Sequence, residues 1–188
     1  YHIVGILHDK ISGKSNNAGL TFQTVDVIGE HEMHSSGNCP TWKNTQMRTW
    51  LNSTLLNTFS SDIKSAIVKV DKDYDLSNQD DKTAFCSDSL FLPNINEIAG
   101  TLEDPSELNF VNDNAGKVYE WWKNHSTTQD HIKKHADGFI FNDYNENYWL
   151  LRSRYYNNPL HVDDKGLIWN FGNGTTAVMG VAPMFCFG

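Results

Sequence analysis

Several features that would point to chemistry are scarce or missing in this 188-residue sequence. Its three cysteines, Cys39, Cys86 and Cys186, are too few for a disulfide framework, so we expect buried or free thiols, although one pair could form in an oxidising compartment. No apolar run approaches the roughly 20 residues of a membrane-spanning helix, so we predict no direct membrane insertion. Neither a nucleophile elbow nor a phosphate-binding loop is present. We therefore predict that the chain is not an enzyme.

The sequence also has fewer basic than acidic residues. The sequence has 15 Lys and Arg against 23 Asp and Glu, which gives a formal net charge of −8. An acidic domain repels phosphate backbones, so we predict no nucleic-acid partner. We find no signal peptide, and the sequence opens at Tyr1 rather than at Met. We interpret it as a single domain, residues 1–188, cut from a longer protein whose flanking domains would be partners.

Motifs that would hold a metal ion are incomplete. Asp71 to Asp81 is the one strongly acidic stretch, and it begins like a calcium-binding loop. Leu76 then stands where the sharp turn needs glycine, and Lys82 stands where a bidentate glutamate would close the cage. We predict no cofactor, with calcium at this stretch as the alternative to a solvated acidic loop.

Hydrophobic residues make up 39% of the chain and aromatic residues 12%, enough to build a core. We predict a strand over Tyr1–Leu7 and a second over Leu20–Ile28 that could pair with it. A polar loop is predicted over Asp75–Ala84 and a short strand over Ser89–Pro93. Apolar residues at three- and four-residue steps predict one main helix, with Thr41 as its N-cap; these residues are Met47, Trp50, Leu51, Leu55 and Phe59.

After Asp137 the pattern changes to short aromatic segments separated by Gly, Asn and Asp turns. This pattern is typical of a hairpin-rich β region. Strands that follow helices, rather than alternating with them, indicate an α+β fold.

The segment between Arg154 and Thr176 has the most informative composition. Arg154 to Asn158 places two tyrosines, two asparagines and an arginine together, and Trp169 to Thr176 again mixes aromatic with small polar residues. Antibody-like binding surfaces have this composition, because rigid aromatics supply contact area and Asn, Thr and Gly supply adaptable hydrogen bonds. The same residues would also suit a loop-rich edge that only makes turns. Composition leaves both interpretations open.

Motifs spread along the chain carry a resemblance to a known family. Trp149-Leu150-Leu151-Arg152-Ser153 and Gly180-Val181-Ala182-Pro183-Met184-Phe185 resemble its C-terminal signature. Ala18 to Val25, Met47 to Ser53 and Ser89 to Pro93 look like its second strand, main helix and core strand. The family is that of C-type-lectin-like domains with the formylglycine-generating-enzyme fold, found in bacterial surface and phage proteins. Some members are the variable proteins of diversity-generating retroelements.

The resemblance implies a C-type-lectin-like fold, with a mixed or antiparallel sheet, one main and one or two lesser helices, and a loop-rich C-terminal β region. It also implies a receptor- or adhesin-type domain on a bacterial cell surface, phage tail or virion that binds a cell-surface protein or glycan. Residues 154–176 would be the variable surface, and Trp149, Arg152-Ser153, Gly166 and Gly180 to Pro183 the scaffold. The predicted ligand-binding residues are Arg154, Tyr155, Tyr156, Asn157, Asn158, His161, Asp163, Asp164, Ile168, Trp169, Asn170, Phe171, Asn173, Thr175 and Thr176.

Two alternatives accompany this expectation. The domain could be a structural module of a multidomain surface protein without a ligand of its own. A formylglycine-type oxidase, the enzyme branch of the fold, needs a reactive cysteine pair. Because Cys39, Cys86 and Cys186 lie far apart in sequence, no such pair is apparent.

Overall fold

The computed structural model describes residues 1–77, 80–99, 116–138, 147–155, 157–169 and 174–188, without the side chains of residues 75–83. Within these residues the chain forms two five-stranded sheets, one hairpin and several short helices. Most strand pairs are antiparallel, and the helices are not interleaved with parallel strands. The predicted α+β class is therefore confirmed.

The first sheet joins the two ends of the described chain. Strand β1 (His2–Ile6) pairs with β2 (Leu20–Gln23), as predicted, and β2 pairs with β12 (Met184–Phe187). Two short strands, β4 (Ile67–Val68) and β7 (Leu90–Phe91), also pair with β12. Strand β2 ends at Gln23 rather than at the predicted Ile28, because the next amide, of Thr24, donates to Pro183 outside the ladder.

The second sheet is built mostly from the C-terminal region that was predicted to be hairpin-rich. Its strands are β3 (Glu30–Glu32), β8 (Trp149–Tyr155), β9 (Asn158–Val162), β10 (Ile168–Trp169) and β11 (Val178–Gly180). Their order in the sheet is β10-β9-β8-β11-β3. The pair β11–β8 is parallel and the other pairs are antiparallel.

A two-stranded hairpin replaces the predicted polar loop at residues 75–84, so that prediction is wrong. Strand β5 (Val70–Ser77) pairs with β6 (Asp80–Asp88) from Val70 opposite Asp88 to Ser77 opposite Asp80. The backbone ladder needs no apolar side chains, and it continues through a polar stretch that hydrophobic alternation does not reveal.

The main helix has the predicted place but a different start. It runs through α1 (Gln46–Trp50), a π-helical turn (Leu51–Leu55) and α2 (Leu56–Thr58). Thr45 is its N-cap, since the Thr45 side chain accepts from the Arg48 amide at 3.1 Å. The predicted cap, Thr41, instead precedes a 3₁₀ turn (Trp42–Asn44) and makes no side-chain capping bond.

The remaining helices are short. They are α3 (Ser61–Ala66), α4 (Ile95–Ile98), α5 (Glu120–Asn124) and α6 (Thr128–His131). Among the helices that the structure describes, none has both the length and the apolar character to cross a bilayer.

A buried lysine ties the segment after α6 to the segment after β2. Lys133 is almost fully buried, and its Nζ donates to the carbonyls of Thr24 (2.7 Å) and Val25 (2.9 Å). Its ammonium also lies 5.3 Å from the centre of the Trp149 ring. Burial lowers the pKa of Lys133 to about 7, although Asp26 acts in the opposite direction.

This depressed pKa predicts how stability depends on pH. Between pH 7 and the ordinary lysine pKa of 10.5, the unfolded chain holds a proton on Lys133 that the folded chain has released. The free energy of unfolding should therefore rise with pH in that window, by up to about 1.4 kcal/mol per pH unit from this group. Urea denaturation of wild type and Lys133→Met should show the difference in their unfolding free energies growing with pH. Lys134→Met, at the exposed neighbouring position, should show no such trend; an equal trend in both variants would contradict the prediction.

Candidate functional site

Two buried segments support the region that the sequence singled out. Trp149 to Ser153 and Gly180 to Cys186 lie in the interior, as expected for scaffold strands. The indole of Trp149 donates to the carbonyl of His131 at 2.9 Å, which joins β8 to α6. The segment between them is therefore held at both ends by packed structure.

A network of buried charges holds β8 in place through Arg152. The Arg152 guanidinium donates to both Glu97 oxygens, at 2.5 and 2.7 Å. Lys72 Nζ donates to Glu97 and Asp9, each at 2.7 Å, and to Tyr119 at 3.0 Å. Two cations and two carboxylates thus balance each other inside the protein.

The pKa values of this network fit a fully ionised cluster. Burial opposes ionisation of Asp9, but Lys72 outweighs it and lowers the pKa of Asp9 to about 2. Burial likewise acts against Glu97, but Arg152 and Lys72 hold its pKa below the usual value. The pKa of Lys72 is raised, because Asp9 and Glu97 outweigh the effect of burial. Since each charge has a bonded partner, the cluster is suited to fixing β8, α4 and β5 in place.

Seven of the predicted site residues reach the surface. Asn157, Asp164 and Thr176 are exposed, and Arg154, Tyr155, Asn158 and Trp169 are partly exposed. They lie on β8, β9, β10, the turns that join them and the turn before β11. Four more, Tyr156, Asn170, Phe171 and Asn173, fall outside the described residues.

Four predicted site residues lie in the interior instead: His161, Asp163, Ile168 and Thr175. Asp163 Oδ1 accepts from the amides of Lys165 and Leu167, so it shapes the β9–β10 turn. Thr175 Oγ1 donates to the carbonyl of Asn157 at 3.0 Å. Composition places these residues in the segment, but their position in strands and turns directs the side chains inward, so in this conformation they offer no contact surface.

One contributor was not anticipated from the sequence. The loop Ser35–Asn38 is exposed and lies beside the predicted surface. The His34 amide donates to Thr175 at 3.1 Å, and the Cys39 amide donates to Asn157 at 2.9 Å. More than a hundred residues separate these partners, and a polar Gly-containing loop has no periodicity that would reveal such contacts. We call the combined surface the C-terminal face: residues 35–38, Arg154, Tyr155, Asn157, Asn158, Trp169 and Thr176. Asp164 is exposed in the β9–β10 turn, at the other end of β9, and is not part of this surface.

Several buried polar atoms border this face without a hydrogen-bond partner in the described part of the chain. They include His34 Nδ1, His161 Nδ1 and Trp169 Nε1. Trp169 and His161 are directly opposite each other in β10 and β9, and the His161 ring stacks on Tyr148 with centroids 5.4 Å apart. Burial lowers the pKa of His161 to about 4, so its ring is neutral at pH 7. Buried polar groups are normally paired, so these atoms can bond to a group that the described chain does not supply.

The cysteines are poorly placed for thiolate chemistry. All three are buried and unpaired, in agreement with the expected buried thiols. Burial raises the pKa of both Cys39 and Cys86 to about 12 and also raises that of Cys186. Reactive cysteines have the opposite shift and are accessible. Over the residues with described positions, no three His, Cys, Asp or Glu side chains form a metal-binding group.

Comparison with known proteins gives one match. A family sequence model, described as a domain of unknown function (DUF6273), matches residues 15–187. No curated protein and no solved structure shows significant similarity to the chain. Because the match covers nearly the whole chain, the protein belongs to the DUF6273 family.

Proposed function

We propose that this protein is a C-type-lectin-like domain that binds a macromolecular ligand, a cell-surface protein or glycan, through the C-terminal face. In this proposal the domain acts as a receptor- or adhesin-type module on a bacterial surface or a phage particle. The fold assignment rests on the sequence motifs, together with the α+β arrangement of mostly antiparallel strands.

One observation carries the proposal. Three distant chain segments are joined into a single exposed surface by two backbone hydrogen bonds and one side-chain hydrogen bond, while the strands beneath them are buried. The bonds that join them are His34 to Thr175, Cys39 to Asn157 and Arg154 to Cys39. A rigid scaffold below exposed loops is the arrangement in which binding residues are commonly presented.

The chemistry of the face suits recognition of a protein or glycan. Tyr155 and Trp169 supply aromatic area, and Asn157, Asn158 and Thr176 supply short hydrogen-bonding groups. Asn157 and Thr176 are exposed, so their side chains can change while Trp149 to Ser153 stays buried, which supports the further proposal of a variable surface.

A binding assay on intact cells tests the proposal. Labelled wild-type protein would be applied to a panel of bacterial cells and to an array of glycans and purified surface proteins. The variant N157A/N158A/T176A should lose binding by about tenfold or more, since these groups contribute direct contacts. The matched control N44A/N57A/T54A changes the same residue types at exposed positions of the helical region and should bind like wild type.

The outcomes separate the proposal from its main alternative. Binding that both triple variants retain equally would place the ligand elsewhere. A complete absence of binding across cells and array would favour a structural module without a ligand. The genomic neighbourhood gives a second test of the variable-surface proposal: an adjacent reverse transcriptase and a near-copy of the coding region for residues 148–188 are expected, and their absence would contradict it.

A further inference from the structure

A cleft lined by none of the residues of the C-terminal face lies beside the buried charge network. The cleft has a volume of about 580 Å³ and opens between the turn after β1, the β5–β6 hairpin and residues 116–117. Small-molecule sites typically enclose about 300–1,000 Å³. The side chains that matter below are Leu7, Lys10, Asp71, Asp73, Phe85 and Lys117.

The charged groups on the floor of the cleft already have bonding partners, so the floor is rigid. It includes Asp9, Lys72 and Glu97, whose charges are compensated within the network. Gly116 packs so closely on Glu97 that an added Cβ would lie 2.9 Å from the Glu97 Cγ. The floor therefore fixes the shape of the cleft and leaves ligand recognition to the rim.

The rim has two cations and two anions. The Lys10 carbonyl accepts from the Asp71 amide at 2.9 Å, which sets these two residues side by side. Lys117 is held next to His8 by a hydrogen bond to its backbone. In the described part of the chain, none of Lys10, Lys117 and Asp73 forms an ion pair. Within the same residues, the Asp71 carboxylate accepts a side-chain hydrogen bond only from the Ser87 hydroxyl, at 3.2 Å. Charges of both signs are thus available at one opening.

Two apolar side chains stand exposed at the same opening. Phe85 is 62% exposed and lies opposite Asp73 in the hairpin, so both project from the same face of the ladder. Leu7 is 64% exposed and adopts φ 50°, a conformation rare for leucine. The Leu7 amide donates to Gly19 and the Asn17 amide group donates to Leu7, which holds this conformation. Strained residues of this kind concentrate at ligand-binding positions.

We propose that this cleft binds a small zwitterion with an apolar side chain, an apolar α-amino acid or a short peptide. Its carboxylate would pair with Lys10 or Lys117, its ammonium with Asp71 or Asp73, and its side chain would pack on Phe85 and Leu7. This site is independent of the proposed function of the C-terminal face.

The balance of charges disfavours other small ligands. A metal ion or a polyphosphate would face two rim groups of its own sign, and like charges at an interface cost binding energy. A neutral sugar would desolvate the four ionised groups without compensating their charge. A zwitterion compensates both signs at once.

Calorimetric titration with a matched ligand series tests the proposal. Leucine and the dipeptide Leu-Phe should bind, and their relative affinities separate a free amino acid from a peptide as the source of the ligand. N-acetyl-leucine lacks the ammonium and leucinamide lacks the carboxylate, so each should bind about tenfold more weakly or worse than leucine. N-acetyl-leucinamide and glucose should not bind.

Variants at exposed positions assign each role without disturbing the core. Asp73→Asn should weaken leucine but leave N-acetyl-leucine unchanged, and Lys117→Gln should weaken leucine but leave leucinamide unchanged. Phe85→Ala should weaken all the binding ligands. Val178→Ala, at an apolar position 47% exposed on β11, is the control and should bind like wild type. Thermal unfolding of each variant should match wild type.

Three results would overturn the proposal. These are no heat of binding for leucine or Leu-Phe at millimolar concentration, equal affinity for leucine and N-acetyl-leucinamide, and binding of glucose in preference to leucine. Loss of binding to cells by the C-terminal-face variant would leave this site untouched, so the two proposals succeed or fail separately.

Discussion

Replacing Glu97 by glutamine is expected to lower the free energy of unfolding by about 3–5 kcal/mol, the range measured when one partner of a buried ion pair is removed. Glu97 receives bonds from Arg152 and Lys72, and its side chain is 1% exposed. The amide keeps the shape of the side chain but removes its negative charge. Two buried cations would then remain in the network, with Asp9 as its one carboxylate.

Urea denaturation monitored by tryptophan fluorescence measures this effect. Glu120→Gln is the matched control, because Glu120 pairs with Lys123 at the surface and such pairs contribute about 0–1 kcal/mol. The double variant E97Q/R152M should be less destabilised than the sum of its single variants, since removing the second charge restores the balance. Simple additivity would show that Glu97 and Arg152 are not coupled.

Replacing Gly166 by alanine should cost about 3 kcal/mol or more, because strain and overlap combine there. Gly166 ends the turn after β9 with φ +77°, in the left-handed region. An added Cβ would overlap the carbonyl group of Thr128 at the start of α6. The turn would have to separate from α6, and the C-terminal face would lose one of its supports.

A comparison with Gly13 separates the contribution of backbone strain from that of steric overlap. It has a similar φ of +72°, but an added Cβ there meets nothing within 4 Å. Gly13→Ala should therefore show the backbone term alone, about 1–2 kcal/mol. Thermal and urea unfolding of both variants would measure the difference. Equal losses at the two glycines would mean that the contact with Thr128 is unimportant.

Elements with strong apolar periodicity were predictable from the sequence. The pairing of β1 with β2 and the main helix around Leu51 follow from local patterns, and the buried segments at Trp149 and Gly180 were expected from the family motifs. The β5–β6 hairpin was missed because its ladder passes through a polar stretch. The N-cap was misplaced because Thr41 and Thr45 have the same chemistry, and the choice depends on the local backbone.

The candidate site was predictable only in its broad position. Composition located residues 154–176, but it could not distinguish the exposed Asp164 from the buried Asp163, since both have the same side chain in one turn. Contacts between residues distant in sequence could not be predicted either. Nothing local to Ser35–Asn38 or to Lys72 indicates that the first meets Asn157 or that the second is buried against Asp9 and Glu97.

The strand order of the first sheet also determines when the sheet can assemble during synthesis on the ribosome. Strand β12 lies between β2 and β4 and also pairs with β7, so the centre of this sheet comes from residues 184–187, while its partners come from the first 91 residues. The early strands are synthesised long before their partner and must wait with exposed edges. Such long-range pairing slows folding and exposes intermediates to aggregation. The sheet can close only after Phe187 has left the exit tunnel, so this domain completes its fold after its last strand has been synthesised.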